Sequence, residues 1–518
     1  MMRRFAILFL VSCILFGYGA ALAAGPEETS TEASELTAAV EIVCSGGGGS
    51  VLADGDETTY TTIPAGGSVT ITSETEIASL YVIFDRIYGE WALSDGTAAA
   101  VCGGNAYLHE YVDVAEKLGY APRSLTLTFS EKACSLSEIH VFEAGETPSW
   151  VQVWEPPCEE ADLLLFSTHI DDEHLFFAGI LPYYAVARGY DVQVAYFTDP
   201  FTYHDRTHEQ LNGLWTVGIR HYPVSGEFID RRSYSASEAY AHQKSYGFAR
   251  EDMVRFQVEL LRRFRPQVAV GHDINGEYVH GQHIINCETL MEGLDLAADP
   301  SYDPASAEKY GVWDTPKAYI HLWPENPIVM DWDVPLEAFG GKTAFQVSQE
   351  GFRCQTSQLP YWPSGWMFGT NGNTITKATQ IELYSPCKFG LYRTTVGFDE
   401  EGGDMFEHIS RSYAEIREEK RLQEEAERLE EEIRRQEEEK KRQEEELRRQ
   451  EGERRAAEEA LRQELPPAEA ESRAEEAAPD GSGGPGFGAV TVLAAAATVA
   501  VALLLFLRIR SMNKKTRK

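Results

Sequence analysis

Between residues 38 and 147 apolar and polar positions alternate in short runs: Ser68-Val-Thr-Ile-Thr-Ser, Ser79-Leu-Tyr-Val-Ile-Phe, Ser124-Leu-Thr-Leu-Thr-Phe and Leu136-Ser-Glu-Ile-His-Val-Phe. The runs are rich in β-branched and aromatic residues, and Gly, Asp and Asn clusters separate them. A period of two with that punctuation predicts an all-β module. From about residue 158 to 400 the pattern changes. Short continuous apolar runs at 163–167, 192–198 and 267–270 predict buried strands, and 175–187 and 253–264 carry enough apolar spacing for helices between them. The second of these ends on Arg262-Arg263-Phe-Arg265, cations that suit a helix C-terminus. Strand–helix–strand alternation predicts a Rossmann-like α/β domain with a mostly parallel sheet and helices on both faces. The segment 148–157, with Trp150 and Trp154, reads as a linker lying against that domain.

A third pattern fills 411–465, where Glu, Arg, Gln and Lys dominate. Leu422, Ala426, Leu429, Ile433, Gln436, Lys440, Gln443, Leu447, Gln450, Arg454, Ala457 and Leu461 step by four and three, a heptad seam. Its middle is polar, so a coiled coil that joins two chains competes with a single helix held by i,i+4 Glu–Lys/Arg pairs. Either way, roughly 55 residues at about 1.5 Å each predict a stalk of about 80 Å. Pro466 and Pro467 end it, and an acidic linker occupies 466–486.

The chain ends carry address signals. Arg3 and Arg4 precede an apolar stretch and Ala21-Leu22-Ala23, the pattern of a cleaved signal peptide over 1–23. Residues 487–507 hold no charge and are long enough for a hydrocarbon core of about 30 Å. The basic tail 508–518 then reads as cytoplasmic. These signals predict a single-pass type I membrane protein with an extracellular ectodomain, and the stalk with its single anchor suggests a bacterial cell surface. Lys and Arg number 46 against 82 Asp and Glu, a net charge of −36, which argues against nucleic acid as a partner. Once Cys13 leaves with the leader, seven cysteines remain, an odd number. Cys102–Cys134 and Cys354–Cys387 are the expected bridges, although spacing does not fix connectivity. No CxxC occurs, which disfavours a cysteine metal site.

The chemistry concentrates in two clusters, each following a predicted strand. The first is Ser167-Thr-His169-Ile-Asp171-Asp172-Glu173. The second is Gly271-His-Asp followed by Glu277-Tyr278-Val-His280-Gly-Gln-His283. The acidic residues of the first cluster could simply cap a helix. Together, however, His169, Asp171, Asp172, His280 and His283 form the His/Asp/His set with a spare carboxylate that a catalytic zinc site with an open position needs.

These residues resemble the PIG-L/LmbE-type N-acetylglucosaminyl deacetylases. The likeness includes Arg206-Thr-His-Glu209, similar to the family's Arg-x-x-Glu helix, and a late Lys342-Thr-Ala-Phe with Ser357-Gln358. It covers about 240 residues, with the four features in the family's order. Ile170 stands where the family usually has Pro, and Gly281-Gln282 where it has Pro-Asp. None of these positions is a ligand or base in the family pattern.

The resemblance implies one catalytic zinc held by His169, Asp172 and His283. It also implies Asp171 as general base and acid, and His280 with Tyr278 at the oxyanion. Arg206 and Asp230 are placed on sugar hydroxyls, although Asp230 is as readily a turn residue. Tyr361, Trp362 and Trp366 suit either a sugar cleft or simple packing. Separately, Val51-Leu-Ala-Asp-Gly-Asp and the closing Ile139-His-Val-Phe resemble a galactose-binding-like jelly roll of the discoidin (coagulation-factor type C) kind. That likeness would imply glycan binding and a calcium loop at Asp54 and Asp56; a plain turn explains the Asp-Gly-Asp equally well.

The expectation is a surface zinc amidohydrolase acting on N-acetylglucosamine-containing glycans. A metal-dependent glycan-binding adhesin is the alternative. Binding needs only the three ligands, whereas hydrolysis also needs Asp171 and His280, and both are present.

Overall fold

The computed structural model describes residues 31–203, 205–370 and 372–464. The leader, the linker 466–486, the apolar segment 487–507 and the basic tail lie outside the described residues. Among the described residues, no helix is long and apolar enough to cross a membrane. The chain divides into two compact units, meeting between Glu407 and His408.

The first unit begins with two antiparallel sheets. One has five strands in the spatial order Glu41–Cys44, Gly67–Thr72, Ser124–Phe129, Trp91–Ser94 and Ala99–Cys102; the other has four, Thr61–Ile63, Cys134–Phe142, Ser79–Phe84 and His109–Asp113. Alternation decides the faces: Val69 and Ile71, like Leu125, Leu127 and Phe129, point into the core while their neighbours stay wetter. Ser79–Phe84 is buried on both faces. Its outer face is covered by Ala33 and Val151, which pack with Tyr81, Ile83 and Phe142. Trp154 continues the same covering segment and meets Trp215 and Tyr222 edge-on.

The central sheet has seven strands, labelled β1 (Leu163–Ser167), β2 (Val192–Thr198), β3 (Val224–Phe228), β4 (Val268–Gly271), β5 (Lys317–His321), β6 (Pro327–Val329) and β7 (Lys388–Thr394). Their spatial order is β3-β2-β1-β4-β5-β7-β6. The first five pair in parallel, while β7 runs antiparallel to β5 and β6. Every residue of β1 and β2 is buried, as strands covered on both faces require. Chain order reverses between β1 and β4, which pair Leu163 with Val268. At such a switch point the connections leave in opposite directions, and a crevice opens beyond the strand ends.

Two expectations are corrected. The stretch 175–187 is not one helix: α1 (Asp172–Leu175) stops early, and a π-helical segment follows at Pro182–Ala187. Gly179 interrupts it at φ +95°, where an added Cβ would lie 2.4 Å from the Trp332 ring. Neither expected disulfide forms, and all seven described cysteines are free thiols. Cys102 ends a strand of the five-stranded sheet and Cys134 begins one of the four-stranded sheet.

Among the described residues of the second unit there is one helix, Tyr413–Glu464, of 52 residues. Its seam is partly exposed at Leu422, Ala426, Leu429 and Ile433 and fully wet further along, with Leu447 60% and Leu461 57% exposed. Pairs such as Arg435–Glu431, Arg454–Glu458 and Arg421 with Glu418 and Glu425 run along it. These pairs are the local i,i+3 and i,i+4 support that a charged helix needs.

Candidate active site

The two sequence clusters meet at the switch point. β1 ends at Ser167 and delivers His169, Asp171 and Asp172; β4 ends at Gly271 and leads through Glu277–Val279 into α5 (Gly281–Leu296), where α2, α3 and α4 are Asp205–Thr216, Ala236–Ser245 and Arg250–Phe264. His169 Nδ1 lies 3.2 Å from Asp172 Oδ2 and 3.1 Å from His283 Nε2, and His283 Nε2 lies 3.2 Å from the same Asp172 oxygen. Three donors on one zinc at about 2.0–2.1 Å in tetrahedral directions stand about 3.3 Å apart, so the triangle fits such an ion. His272 also falls within reach of Asp172 and His283. Its Nε2, however, accepts the Thr168 N–H and its Nδ1 meets Glu277, so its nitrogens are already engaged.

Glu277 organises the far side. Its carboxylate receives His283 Nδ1 at 2.6 Å, His272 Nδ1 at 2.9 Å and His321 Nδ1 at 2.6 Å. Despite its burial, the neighbouring imidazoles hold this carboxyl well below the usual range. With Nδ1 given to Glu277, His283 turns Nε2 toward the triangle. A carboxylate behind a histidine ligand fixes tautomer and ring orientation in this way. Sequence reasoning missed Glu277, His272 and His321. Glu277 was the findable one: an acid two residues ahead of Val279-His280, in the loop that carries two histidines.

Asp171 stands beside the triangle. Its φ of +120° is strained for a non-glycine residue. Its N–H donates to Glu173 Oε2, and Arg206 donates to the preceding Ile170 carbonyl. Burial pushes the Asp171 carboxyl up to about 7; Asp172 and Asp230 add to the rise, and Arg206 and His169 oppose it. A general base is most effective with a pKa near the working pH. Arg206 Nη2 lies 3.3 Å from Asp171, and Arg206 Nη1 lies 3.7 Å from Asp230. Asp230 in turn lies 3.4 Å from His169 Nε2. Both residues line the cleft, but they also brace Asp171 and a triangle member.

His280 caps α5: its Nδ1 accepts the Gln282 N–H at 3.3 Å. The neutral ring therefore carries its proton on Nε2. Burial, together with charge on His169 and His283, pushes its pKa well down and keeps it neutral. Such a ring is a fixed N–H donor. Tyr278 packs its ring on His280 and His283, each at 5.3 Å, from a left-handed backbone at φ +46°.

The Gly281-Gln282 pair has a packing reason. A Cβ on Gly281 would lie 2.4 Å from the Ser235 carbonyl oxygen. The Gln282 amide donates to Ile229 O and Arg231 O on either side of Asp230, and accepts from Gln243.

A cleft of about 610 Å³ opens over these groups, lined by His169, Asp171, Asp172, Arg206, Asp230 and His280 together with Tyr278, Arg232, Ser357, Gln358, Tyr361 and Trp362. Glu209 holds its rim by accepting from Thr356, the Ser357 N–H and the Ser357 hydroxyl. Trp366 is outside the lining and bonds Leu383 O. Lys342 is outside it too, paired with Glu350 at the surface. Asp54 and Asp56 use their carboxylates within their own turn, on the Asp56 and Thr58 N–H groups and the Thr58 and Thr59 hydroxyls. They are not in any converging metal-ligand group among the described residues.

No family model matches the chain. Curated relatives do. Over 135 residues it is 37% identical to 1D-myo-inositol 2-acetamido-2-deoxy-alpha-D-glucopyranoside deacetylase 2 of Saccharopolyspora erythraea, a match covering 26% of this chain and 47% of that protein. Over 199 residues it is 25% identical to the Rhodococcus erythropolis deacetylase of the same name, covering 34% of this chain and 66% of the relative. The chain thus spans about half the length of the first of these relatives. Solved structures include N,N'-diacetylchitobiose deacetylase from Pyrococcus horikoshii, 14% identical with a TM-score of 0.30 over 45% of this chain and 85% of that one. A pectin-binding carbohydrate-binding module is 16% identical, with a TM-score of 0.17 over 21% of this chain and 93% of its own. The curated relatives are deacetylases of the PIG-L/LmbE type, the family the central domain resembles.

Proposed function

We propose that the chain is a zinc-dependent deacetylase that hydrolyses the N-acetyl group of N-acetylglucosamine units in an extracellular glycan. The observation that carries this reading is the triangle of His169 Nδ1, Asp172 Oδ2 and His283 Nε2 with a second carboxyl, Asp171, raised by burial, beside it. His169, Asp172 and His283 would hold the ion. When bound, zinc supplies Lewis acidity that makes water nucleophilic near neutral pH.

The chain's own groups do the rest. Asp171, ionised, takes the attacking water's proton and returns it to the departing amine, so the amide C–N bond breaks as acetate and a free amine form. His280 donates Nε2–H to the oxygen that gains charge as the carbonyl carbon becomes tetrahedral. Arg206 holds Asp171 in place and, with Asp230, offers hydrogen bonds to sugar hydroxyls. Tyr361 and Trp362, exposed at the rim, present aromatic faces to the apolar side of a pyranose ring. The names of the relatives support the 2-acetamido sugar as the substrate class.

The leader at 1–23 and the apolar segment 487–507 support a membrane-anchored protein facing outward, with the long helix as its stalk. The two-sheet module would hold the polymer; no calcium is assigned to it.

Acetate release tests this reading. Full-length protein, stripped with a chelator and reloaded with zinc, is offered chito-oligosaccharides, peptidoglycan fragments and the N-acetylglucosaminyl-inositol. Release that needs zinc and disappears in Asp171→Asn supports the deacetylase. No release from any of them, by folded protein that has bound zinc, refutes it in favour of the adhesin.

A further inference from the structure

A second imidazole–carboxylate cluster lies away from the cleft, at the junction of the two-sheet module and the α/β domain. Glu57 comes from a turn of the module, His109 from the first position of its strand His109–Asp113, and His208 from the first half of α2. One ligand atom from each lies within 4.8 Å of the others. His109 and His208 are only 0% and 2% exposed. His109 Nε2 stands 2.8 Å from His208 Nδ1. That is a hydrogen bond between the rings; two nitrogens on one zinc stand about 3.3 Å apart, so an ion replaces the shared proton as the rings part by about 0.5 Å.

The surroundings hold the donors in place. Tyr81 hydroxyl meets His109 Nδ1 at 2.8 Å, leaving Nε2 as the ring nitrogen that faces the cluster. Asn212, one helical turn beyond His208, donates to Glu57 Oε2 at 2.9 Å and leaves the other oxygen for a ligand role. Gln152 fixes Asn212 in turn, donating to its Oδ1 at 2.6 Å, and Trp154 fixes Gln152. Outer partners of this kind orient metal ligands.

We propose that Glu57, His109 and His208 form a second, non-catalytic site for a divalent transition-metal ion such as zinc, which clips the two-sheet module to α2. The same helix carries Arg206, the brace of Asp171, two residues earlier. The clip therefore ties the module to the wall of the cleft. The cleft triangle has the spare carboxyl Asp171 beside it, whereas this group holds no carboxylate besides Glu57, and none of its members lines the cleft. An ion there has a structural role.

The test counts ions. Full-length chain is stripped with a chelator, exposed to a small excess of zinc, desalted and analysed for metal. About two ions per chain are expected, falling to about one in Glu57→Gln and to about one in His283→Ala, with none in the double variant. Glu57 is half-buried in a turn, so its isosteric change keeps the fold. As a second readout, zinc should raise the thermal midpoint of the His283→Ala chain and not that of the double variant. The site is overturned if His283→Ala alone removes all bound zinc, or if folded Glu57→Gln holds as much as its parent. A single ion lost only with Glu57→Gln would uphold the clip while removing zinc from the cleft.

Discussion

The cluster at the switch point and the cluster at the junction both bring imidazole and carboxylate together, and they differ in what surrounds them. At the switch point the triangle of His169, Asp172 and His283 opens onto a cleft of about 610 Å³ and has Asp171, His280 and Arg206 beside it. At the junction, Glu57, His109 and His208 are closed in by Tyr81, Asn212 and Gln152. Ligand type is nearly the same in both. What makes one a place for chemistry is access together with a carboxyl that is not needed as a ligand.

Removing a ligand from the open cluster should have the largest effect. His283→Ala is expected to lower deacetylation by about four orders of magnitude or more, consistent with the loss of an activated nucleophile; acetate release before and after zinc addition measures it. Next comes the spare carboxyl. Asp171→Asn should keep its zinc and lose a factor of about 10²–10⁴ in kcat, the usual worth of a general base. If the variant stays fully active, another group is the base.

Because Asp171 must be ionised to accept a proton, kcat/KM should fall as pH falls through its pKa. That pKa is raised to about 7 by burial in the absence of an ion. A cation in the triangle stabilises the carboxylate, so the acid limb should lie at or below that value, and Asp171→Asn should abolish it. A smaller effect is expected one layer out. Glu277→Gln, which weakens the hold on His283 Nδ1, should reduce zinc affinity about 10–100-fold in a chelator competition.

The smallest effect sharpens the contrast between buried and exposed charge. On the long helix, Arg435→Gln removes the pair with Glu431. Its partners are in water, and no measurable change in helicity or melting is expected by circular dichroism.

Much of this was legible along the chain. Continuous apolar runs marked β1 and β2 at their observed bounds, because strands covered on both faces need apolar side chains at every position. Charged periodicity marked the long helix, because i,i+3 and i,i+4 neighbours satisfy one another locally. The histidines and aspartates stood out because they follow apolar strands directly.

The remainder depended on residues far apart in sequence. The break in 175–187 lies at Gly179, whose φ of +95° and missing Cβ leave room for the Trp332 ring, a contact across more than a hundred positions. Cysteine spacing could not show that Cys102 and Cys134 belong to different sheets. Glu277 looked like one more loop acid until three imidazoles converged on it, and Glu57, His109 and His208 share no motif at all. Sequence alone determined the strands β1 and β2, the helix near 253–264 and the charged rod, since periodicity and burial are local demands. Tertiary structure alone decided which polar groups meet, because only strand order at the switch point and the seating of the module on α2 bring them within bonding distance.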